Sequence, residues 1–436
     1  MSAPRPVPLE RYRRSVEWLA RAEAVIPLGS QTFSKSRTAF PVGVSPLFIE
    51  RGSGSRVWDV DGNEYLDFIN GLLAISLGYN DPDVDVAVQA QLRSGVTFSL
   101  PHPIETEVAE MIVDLVPCAE LVRFGKNGSD ATSGAIRVAR AYTKRERVAV
   151  CGYHGWQDWY IGSTTRDLGV PAATKALTHR FGYNDAPSLE AILQEHPDEF
   201  AAVILEPMNT TWPEDDFLPQ VQAITHRHGA LLIFDETITG FRYAMGGAQA
   251  LFGVTPDLAT FGKGIANGFP LAIVTGRREY MKLMEDVFFS FTFGGETLSL
   301  AAAKAVMEKM RREPVLETIH GKGQAILDGV AALITEHGVA DFCSITGHPA
   351  WSFFQITAAP PYDAYELKTF YLQEMFGRGI LGIGTHNMSY AHSDADVAQL
   401  LAAYDVILPM LRDAVEKQDL RDRLRCEPLQ PLFLVR

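Results

Sequence analysis

Lys263 stands between two glycines in ATFGKGIANGFPLAIVTG (259–276), a run with no other charged side chain. A lysine kept from water loses part of its preference for the charged form and becomes a nucleophile. Asp235 lies 28 residues earlier in LLIFDETITGFR (231–242), directly after an apolar stretch. A carboxylate there is poorly hydrated and needs a cationic or hydrogen-bonding partner, and a protonated ring nitrogen is one such partner. In FGKNGSDATSGAIRVARAY (124–142) a strand gives way to a helix through a Gly/Ser/Asn turn. Free N–H groups at the helix start and the Ser129 hydroxyl make an anion site, with Gly128 and Ser129 as phosphate contacts. In CGYHGWQDW (151–159), Tyr153 follows another strand and is placed to stack on a flat ring.

Each motif alone also fits a structural role. Ser129 or Asp130 caps a helix, Tyr153 and His154 pack as satisfied core groups, Asp235 caps the next turn, and Lys263 snorkels to solvent. Together they describe one ligand: a phosphate, a flat ring, a ring nitrogen that needs an acid, and an aldehyde for a lysine. Pyridoxal 5'-phosphate (PLP) has all four features.

The surrounding pattern is that of an α/β protein. From about 82 to 312, apolar strands at 121–124, 147–151, 201–207, 230–236, 258–261 and 270–276 alternate with helices, including 130–143 and 218–228. This predicts a mostly parallel sheet covered on both faces, with ligand groups at the carboxyl ends of its strands. An amphipathic helix is expected over 9–26 and a hairpin over 55–68, turning at Asp61-Gly62-Asn63. After 320 come a helix, strands near 349–357 and 379–384, and a helix over 394–415. The expected division is 1–75 and 320–436 as two parts of a smaller α+β domain, with 76–319 as the large ligand-binding domain.

The 436 residues exceed one ordinary core. A net charge of -14 argues against nucleic acid or an anionic membrane as partner. The four cysteines have no paired spacing, so no metal site or disulfide framework is expected and a cytoplasmic setting fits. The first residues show no apolar signal core and no run is long enough to span a bilayer. No G-x-G-x-x-G turn follows an early strand, which counts against a nucleotide-binding oxidoreductase.

FDETITGFR followed by FGKGIANGFPLA resembles the class III aminotransferases of PLP fold type I, and within them glutamate-1-semialdehyde 2,1-aminomutase most of all. PLFIERGSGSRVWDVDGNEYLDF, SLGYNDPDV, NGSDATSGAIRVAR, YHGW, VILEP and SYAHSDADV extend the resemblance over nearly the whole chain. It implies that Lys263 bonds the cofactor's aldehyde and later shuttles the proton, and that Asp235 pairs with the pyridinium nitrogen. Tyr153 would stack on the ring, Gly128 and Ser129 would hold the phosphate, and Glu206 would orient groups near the ring. Thr292 would reach the phosphate of the neighbouring subunit's cofactor, which implies a homodimer with shared sites.

Departures from the family pattern bear on function. Thr237 replaces the usual valine over the ring's second face, with a methyl that still packs there. TFGGET places Glu296 where a neutral residue is common. The segment 154–177 is shorter than the aminomutase gate and carries Trp156, Trp159 and Tyr160. An aminomutase must retain its intermediate, whereas a transaminase must release its first product, so transamination is favoured. The aminomutase is the alternative, a racemase or decarboxylase less so, and a catalytically silent binding protein is opposed by the intact Lys263 and Asp235. The substrate pocket is expected to use Arg37 for a carboxylate, with Trp156, His386 and Asn387 beside it. That mix suits a polyhydroxylated acceptor such as a sugar or a natural-product or glycan intermediate, with glutamate as amino donor.

Overall fold

The computed structural model describes residues 10–430. Leu9, the first residue of the expected 9–26 helix, lies outside them. The chain forms two compact units. One contains the segment up to Leu72, Leu77–Asp81 and the chain from Glu317; the other contains Leu73–Ser76 and Pro82–Leu316.

The strands, in chain order, are β1 (Ile49–Ser53), β2 (Arg56–Asp59), β3 (Glu64–Asp67), β4 (Leu121–Gly125), β5 (Arg147–Cys151), β6 (Thr178–Arg180), β7 (Phe200–Leu205), β8 (Leu231–Glu236), β9 (Leu258–Phe261), β10 (Ala272–Gly276), β11 (Cys343–His348), β12 (Trp351–Ile356), β13 (Ile380–Leu381) and β14 (Thr385–Asn387). The second unit is built on a seven-stranded sheet in the order β4-β10-β9-β8-β7-β5-β6. Strands β6, β5, β7, β8 and β9 run parallel, while β10 is antiparallel to both its neighbours. The α/β expectation holds, with β10 as the reversed strand and β6 as an edge strand that its three-residue length hid.

Strands β7 and β8 are buried at every position, because helices cover both faces and no alternation is required. Side-chain parity divides the core in two. Val148, Val150, Ala202, Ile204, Leu231 and Ile233 pack with Ala131, Ala135 and Val138 of the helix Gly128–Thr143. Ala149, Val203, Leu205, Leu232 and Phe234 pack with Leu189, Leu193 and Val221 on the other side. Asp235 continues the parity of Leu231 and Ile233, so it faces the side covered by the helix Gly128–Thr143.

The first unit carries the sheets β1-β2-β3-β13 and β11-β12-β14. The expected hairpin is β2–β3, with Val57 opposite Tyr65. Its turn also caps the helix Arg13–Glu23. Asp61 accepts from the backbone N–H groups of Arg14 (2.7 Å) and Ser15 (2.9 Å). Val25, within the expected span 9–26, lies beyond the helix end and is exposed.

Candidate active site

Register places the chemical groups side by side. Cys151 pairs with Leu205, Leu205 with Phe234, and Asp235 with Thr260, so the carboxyl ends of β5, β7, β8 and β9 are level. Tyr153 and His154 follow β5, Glu206 follows β7, Asp235 lies on β8, and Lys263 follows β9. Phe124, one residue before the end of β4, is level with Phe261 through Ile273 of β10. The helix beginning at Gly128 therefore starts at the same edge.

Asp235 is buried and has four donors. Oδ1 accepts from Thr237 N (3.1 Å), Thr237 Oγ1 (2.6 Å) and Thr260 Oγ1 (3.1 Å), and Oδ2 is 2.8 Å from His154 Nδ1. Burial alone pushes this carboxyl up. The hydrogen bond and electrostatic pull of His154, with the Thr237 bonds, outweigh it and hold the group below the usual carboxylate range. His154 Nε2 faces the Cys151 carbonyl at 3.2 Å. Both ring nitrogens face acceptors, so His154 meets Asp235 as a donor.

Thr237 differs from the sequence expectation in what its hydroxyl does: it is spent on Asp235. Its methyl fills a narrow gap, because a Cβ on Gly128 would lie 3.1 Å from Thr237 Cγ2 and one on Gly262 3.2 Å from it. One side chain thus brings together the helix start, the buried acid and the lysine turn.

At the helix start, Asp130 Oδ2 takes the N–H groups of Lys126 (3.2 Å) and Asn127 (2.8 Å). The N–H groups of Gly128 and Ser129 have no acceptor within the helix. The loop after β5 closes on this point. Gly155, at φ 105°, has no room for a side chain, since a Cβ would lie 2.4 Å from Ser129 Oγ. Trp156 N approaches the same oxygen at 3.4 Å, while the Trp156 ring is exposed.

Lys263 opens the 3-10 turn Lys263–Ala266 at φ 45°. That conformation costs a non-glycine residue about 1–3 kcal/mol, and such strain persists where the surroundings enforce it. They do so here: Ser76 Oγ donates to Gly264 O (2.7 Å), and Ser76 N donates to Asn267 Oδ1 (3.0 Å). Tyr153 is 42% exposed, with its ring edge-to-face on Tyr160. Its hydroxyl is pushed up by burial and by the charges of Asp235 and Glu206. Glu206 is buried, and its Oε2 accepts from Tyr153 N (2.9 Å) and Asn209 Nδ2 (2.7 Å). Thr292 is exposed in the turn that precedes the helix Thr297–Arg312.

The expected substrate groups fare differently. Arg37, in the other unit, is ion-paired with Glu23 at 2.5 Å. His386 is 2% exposed, with Nδ1 2.9 Å from Ser352 Oγ and Nε2 2.9 Å from the Tyr404 hydroxyl. Burial pushes it down to about 3, so it is a neutral core group with no free ring nitrogen. Asn387 is buried beside it, and Trp159 and Tyr160 are core residues. In sequence His154 fits a satisfied core histidine and Thr260 is one more residue of the strand LATF. The signal for His154 was Asp235's need for a partner; the signal for Thr260 was the strand register.

Replacing His154 with leucine leaves burial of Asp235 offset only by the bonds from Thr237 and Thr260. The carboxyl then rises, the acid limb of the activity profile moves to higher pH, and kcat/KM at neutral pH falls roughly tenfold, the size of one lost charge-assisted bond of about 1.5 kcal/mol. A pH–rate profile of His154→Leu checks this; an acid limb unchanged from wild type would contradict it.

A model of the aminotransferase class-III family matches residues 39–346. The chain is 35% identical to a 3-aminobutyryl-CoA aminotransferase of Cloacimonas acidaminovorans (strain Evry), over 90% of this chain and 96% of that one. It is also 35% identical to a glutamate-1-semialdehyde 2,1-aminomutase of Roseiflexus castenholzii (strain DSM 13941 / HLO8), over 93% and 99%. Among solved structures, the FumI protein of Sphingopyxis sp. MTA144, in its PLP internal aldimine form, superposes with a TM-score of 0.85 at 29% identity, covering 95% of this chain and 99% of that one.

Proposed function

This chain belongs to the class-III aminotransferases, PLP-dependent enzymes, and on that premise we propose that it catalyses intermolecular transamination between an amino-acid donor and a separate carbonyl acceptor. The observation that carries this reading is the level row of Tyr153, Glu206, Asp235 and Lys263 beside the helix start at Gly128. The residues fit the cofactor: unused N–H groups for a phosphate, a carboxylate held in its charged form for a ring nitrogen, and a lysine on a strained turn.

When bound, the cofactor supplies an electron sink that acidifies the C–H beside the substrate's amine. Gly128 and Ser129 bind its phosphate. Asp235, fixed by His154, Thr237 and Thr260, keeps the ring nitrogen protonated. Tyr153 would cover one face of the ring and the Thr237 methyl would border the other. Lys263 Nζ would hold the cofactor's aldehyde and, once released, would be the base that moves the proton from the donor's carbon. Glu206 orients the groups beside the ring.

Transamination is favoured over the aminomutase because the segment after His154 is anchored. Trp159 Nε1 donates to Ser133 Oγ (2.9 Å) and the Tyr160 hydroxyl to Gly152 O (2.7 Å), so these aromatics brace the core instead of closing over a retained intermediate. The aminomutase remains the second reading, supported by the 35% identical relative.

Glutamate is the donor of choice, and the acceptor carries its carbonyl away from the carbon next to a carboxylate. The 3-aminobutyryl-CoA relative supports that position of the amine. The sugar acceptor is a narrower case of it, and it loses the support of His386 and Asn387. Acceptor rates with a 3-oxoacyl thioester, a keto-sugar and simple 2-oxo acids test this; 2-oxo acids much faster than either of the others would sink it.

We also assign the enzyme as a homodimer with shared sites, Thr292 reaching the partner's cofactor phosphate. Phe293 (58% exposed) lies in that turn and Phe288 (78%) shortly before it, and exposed large apolar side chains at such a place are what an interface would cover. Phe288→Asp/Phe293→Asp is expected to sediment as a monomer with its cofactor affinity lowered. A variant that remains dimeric with wild-type affinity would contradict the assignment.

A further inference from the structure

Glu296, the acidic residue of TFGGET, has a partner the sequence did not reveal. Its Oε2 is 3.0 Å from Lys126 Nζ, and each side chain is only 14% exposed. Lys126 stands two residues before Gly128, and Glu296 four residues after Thr292. Glu296 also caps the helix Thr297–Arg312: Oε1 accepts from Leu298 N (2.7 Å), and Oε2 accepts from Ser299 N (3.3 Å) and Ser299 Oγ (2.6 Å). Capping does not require the charge, since serine or asparagine serves as well. The charge has its use in Lys126. Burial pushes the Glu296 carboxyl up, and the bonds from Ser299 and Lys126 outweigh it, so it stays ionised.

The turn Lys126–Asp130 is already held by its main chain through Asp130. The Lys126 side chain leaves that turn for Glu296 and Ser299 Oγ (3.4 Å). At the other end there is no slack: a Cβ on Gly295 would meet the Glu105 carboxyl carbon at 2.6 Å, and Glu105 itself accepts from His102 N at 2.8 Å. The ion pair therefore joins two fixed turns, the helix start with its unused N–H groups and the turn bearing Thr292, and it does so next to that helix start, whereas Arg123 and Arg137 hold the chain further back, at the carbonyls of Phe289 (3.2 Å) and Phe288 (3.1 Å).

We propose that Lys126 and Glu296 form a positioning brace that sets the Thr292 turn against the phosphate-binding helix start and thereby sets the affinity for the cofactor phosphate. This rests on the assignment of Gly128 and Ser129 to that phosphate. Because Glu296 consumes the Lys126 charge, the phosphate is held by N–H groups and a hydroxyl and not by this ammonium.

The test is titration of dialysed apoprotein with PLP, alongside the melting temperature of each apoprotein. Lys126→Met and Glu296→Gln are each expected to raise the PLP Kd roughly fivefold, and the double variant no further, as for two groups in one ion-pair network. Lys126→Arg, which keeps the charge, should stay near wild type. Glu296→Gln binding PLP more tightly while Lys126→Met binds it more weakly would overturn the brace in favour of a direct lysine–phosphate contact. Lowered melting temperatures with unchanged Kd would also overturn it, reducing the pair to a structural bridge. Ser129→Ala run in parallel separates the two readings. An unchanged Kd there, with raised values in the pair's variants, removes the Ser129 hydroxyl from the phosphate site and keeps the brace. A raised Kd there, with the pair's variants at the wild-type value, overturns the brace alone.

Discussion

Lys263→Ala is expected to lose transamination by on the order of 10⁴-fold or more, because the proposed function gives one side chain both the nucleophile's and the proton carrier's part. The variant should still fold. Lys263 is only half-buried, and the turn around it is held by the bonds from Ser76 to Gly264 O and Asn267 Oδ1. It should still bind the cofactor through Gly128 and Ser129, but without a covalent bond. Borohydride reduction followed by peptide mass analysis checks this directly. Wild type should carry the cofactor's mass on the peptide containing Lys263, and the variant on none. A covalent adduct at another lysine in wild type would remove Lys263 from the role.

Asp235→Asn is expected to cost about 10²–10⁴-fold in kcat with a smaller change in cofactor affinity, because the amide cannot keep the ring nitrogen protonated while the phosphate contacts are untouched. The amide also places an N–H donor among Thr237, Thr260 and His154, all of which now donate to the carboxylate. The sign of the pH dependence follows from the same geometry. The Asp235 carboxyl is held below its ordinary value in the folded chain, so its stabilising contribution is present above the unfolded carboxylate pKa. It is lost as pH falls through the lower folded value. The wild-type activity should therefore show no acid limb from Asp235 in the ordinary carboxylate range. Steady-state kinetics of Asp235→Asn across pH checks both points; a kcat within a few-fold of wild type would contradict the role.

The row of chemical groups was legible in sequence because each one follows an apolar strand. Tyr153, Glu206, Asp235 and Lys263 come just after RVAVC, AAVIL, LLIF and LATF or at their ends. What the one-dimensional pattern lacks is register. It cannot reveal that Thr260 lies opposite Asp235, nor that His154, beyond an intervening strand, reaches its other oxygen. The same gap explains His386. GIGTHNM reads as a polar turn, yet Thr385–Asn387 is a short strand paired with β12, and that pairing buries the histidine. Arg37 illustrates a different gap, because a cation's partner is often a carboxylate on a neighbouring element, here Glu23. Lys126 and Glu296 are 170 residues apart in sequence and each looks like an ordinary surface charge. Only the packing of two turns joins them.

The measurement that tests transamination most directly is a single half-reaction. Wild-type enzyme loaded with PLP is given an amino donor, glutamate first, with no acceptor, and the visible band and the released carbonyl product are followed together. The account predicts loss of the yellow band and release of about one equivalent of keto product per site, as a ping-pong transfer requires, with the band restored on adding a carbonyl acceptor. A donor returned isomerised or racemised, with no carbonyl product released and the band unchanged at the end, would contradict it.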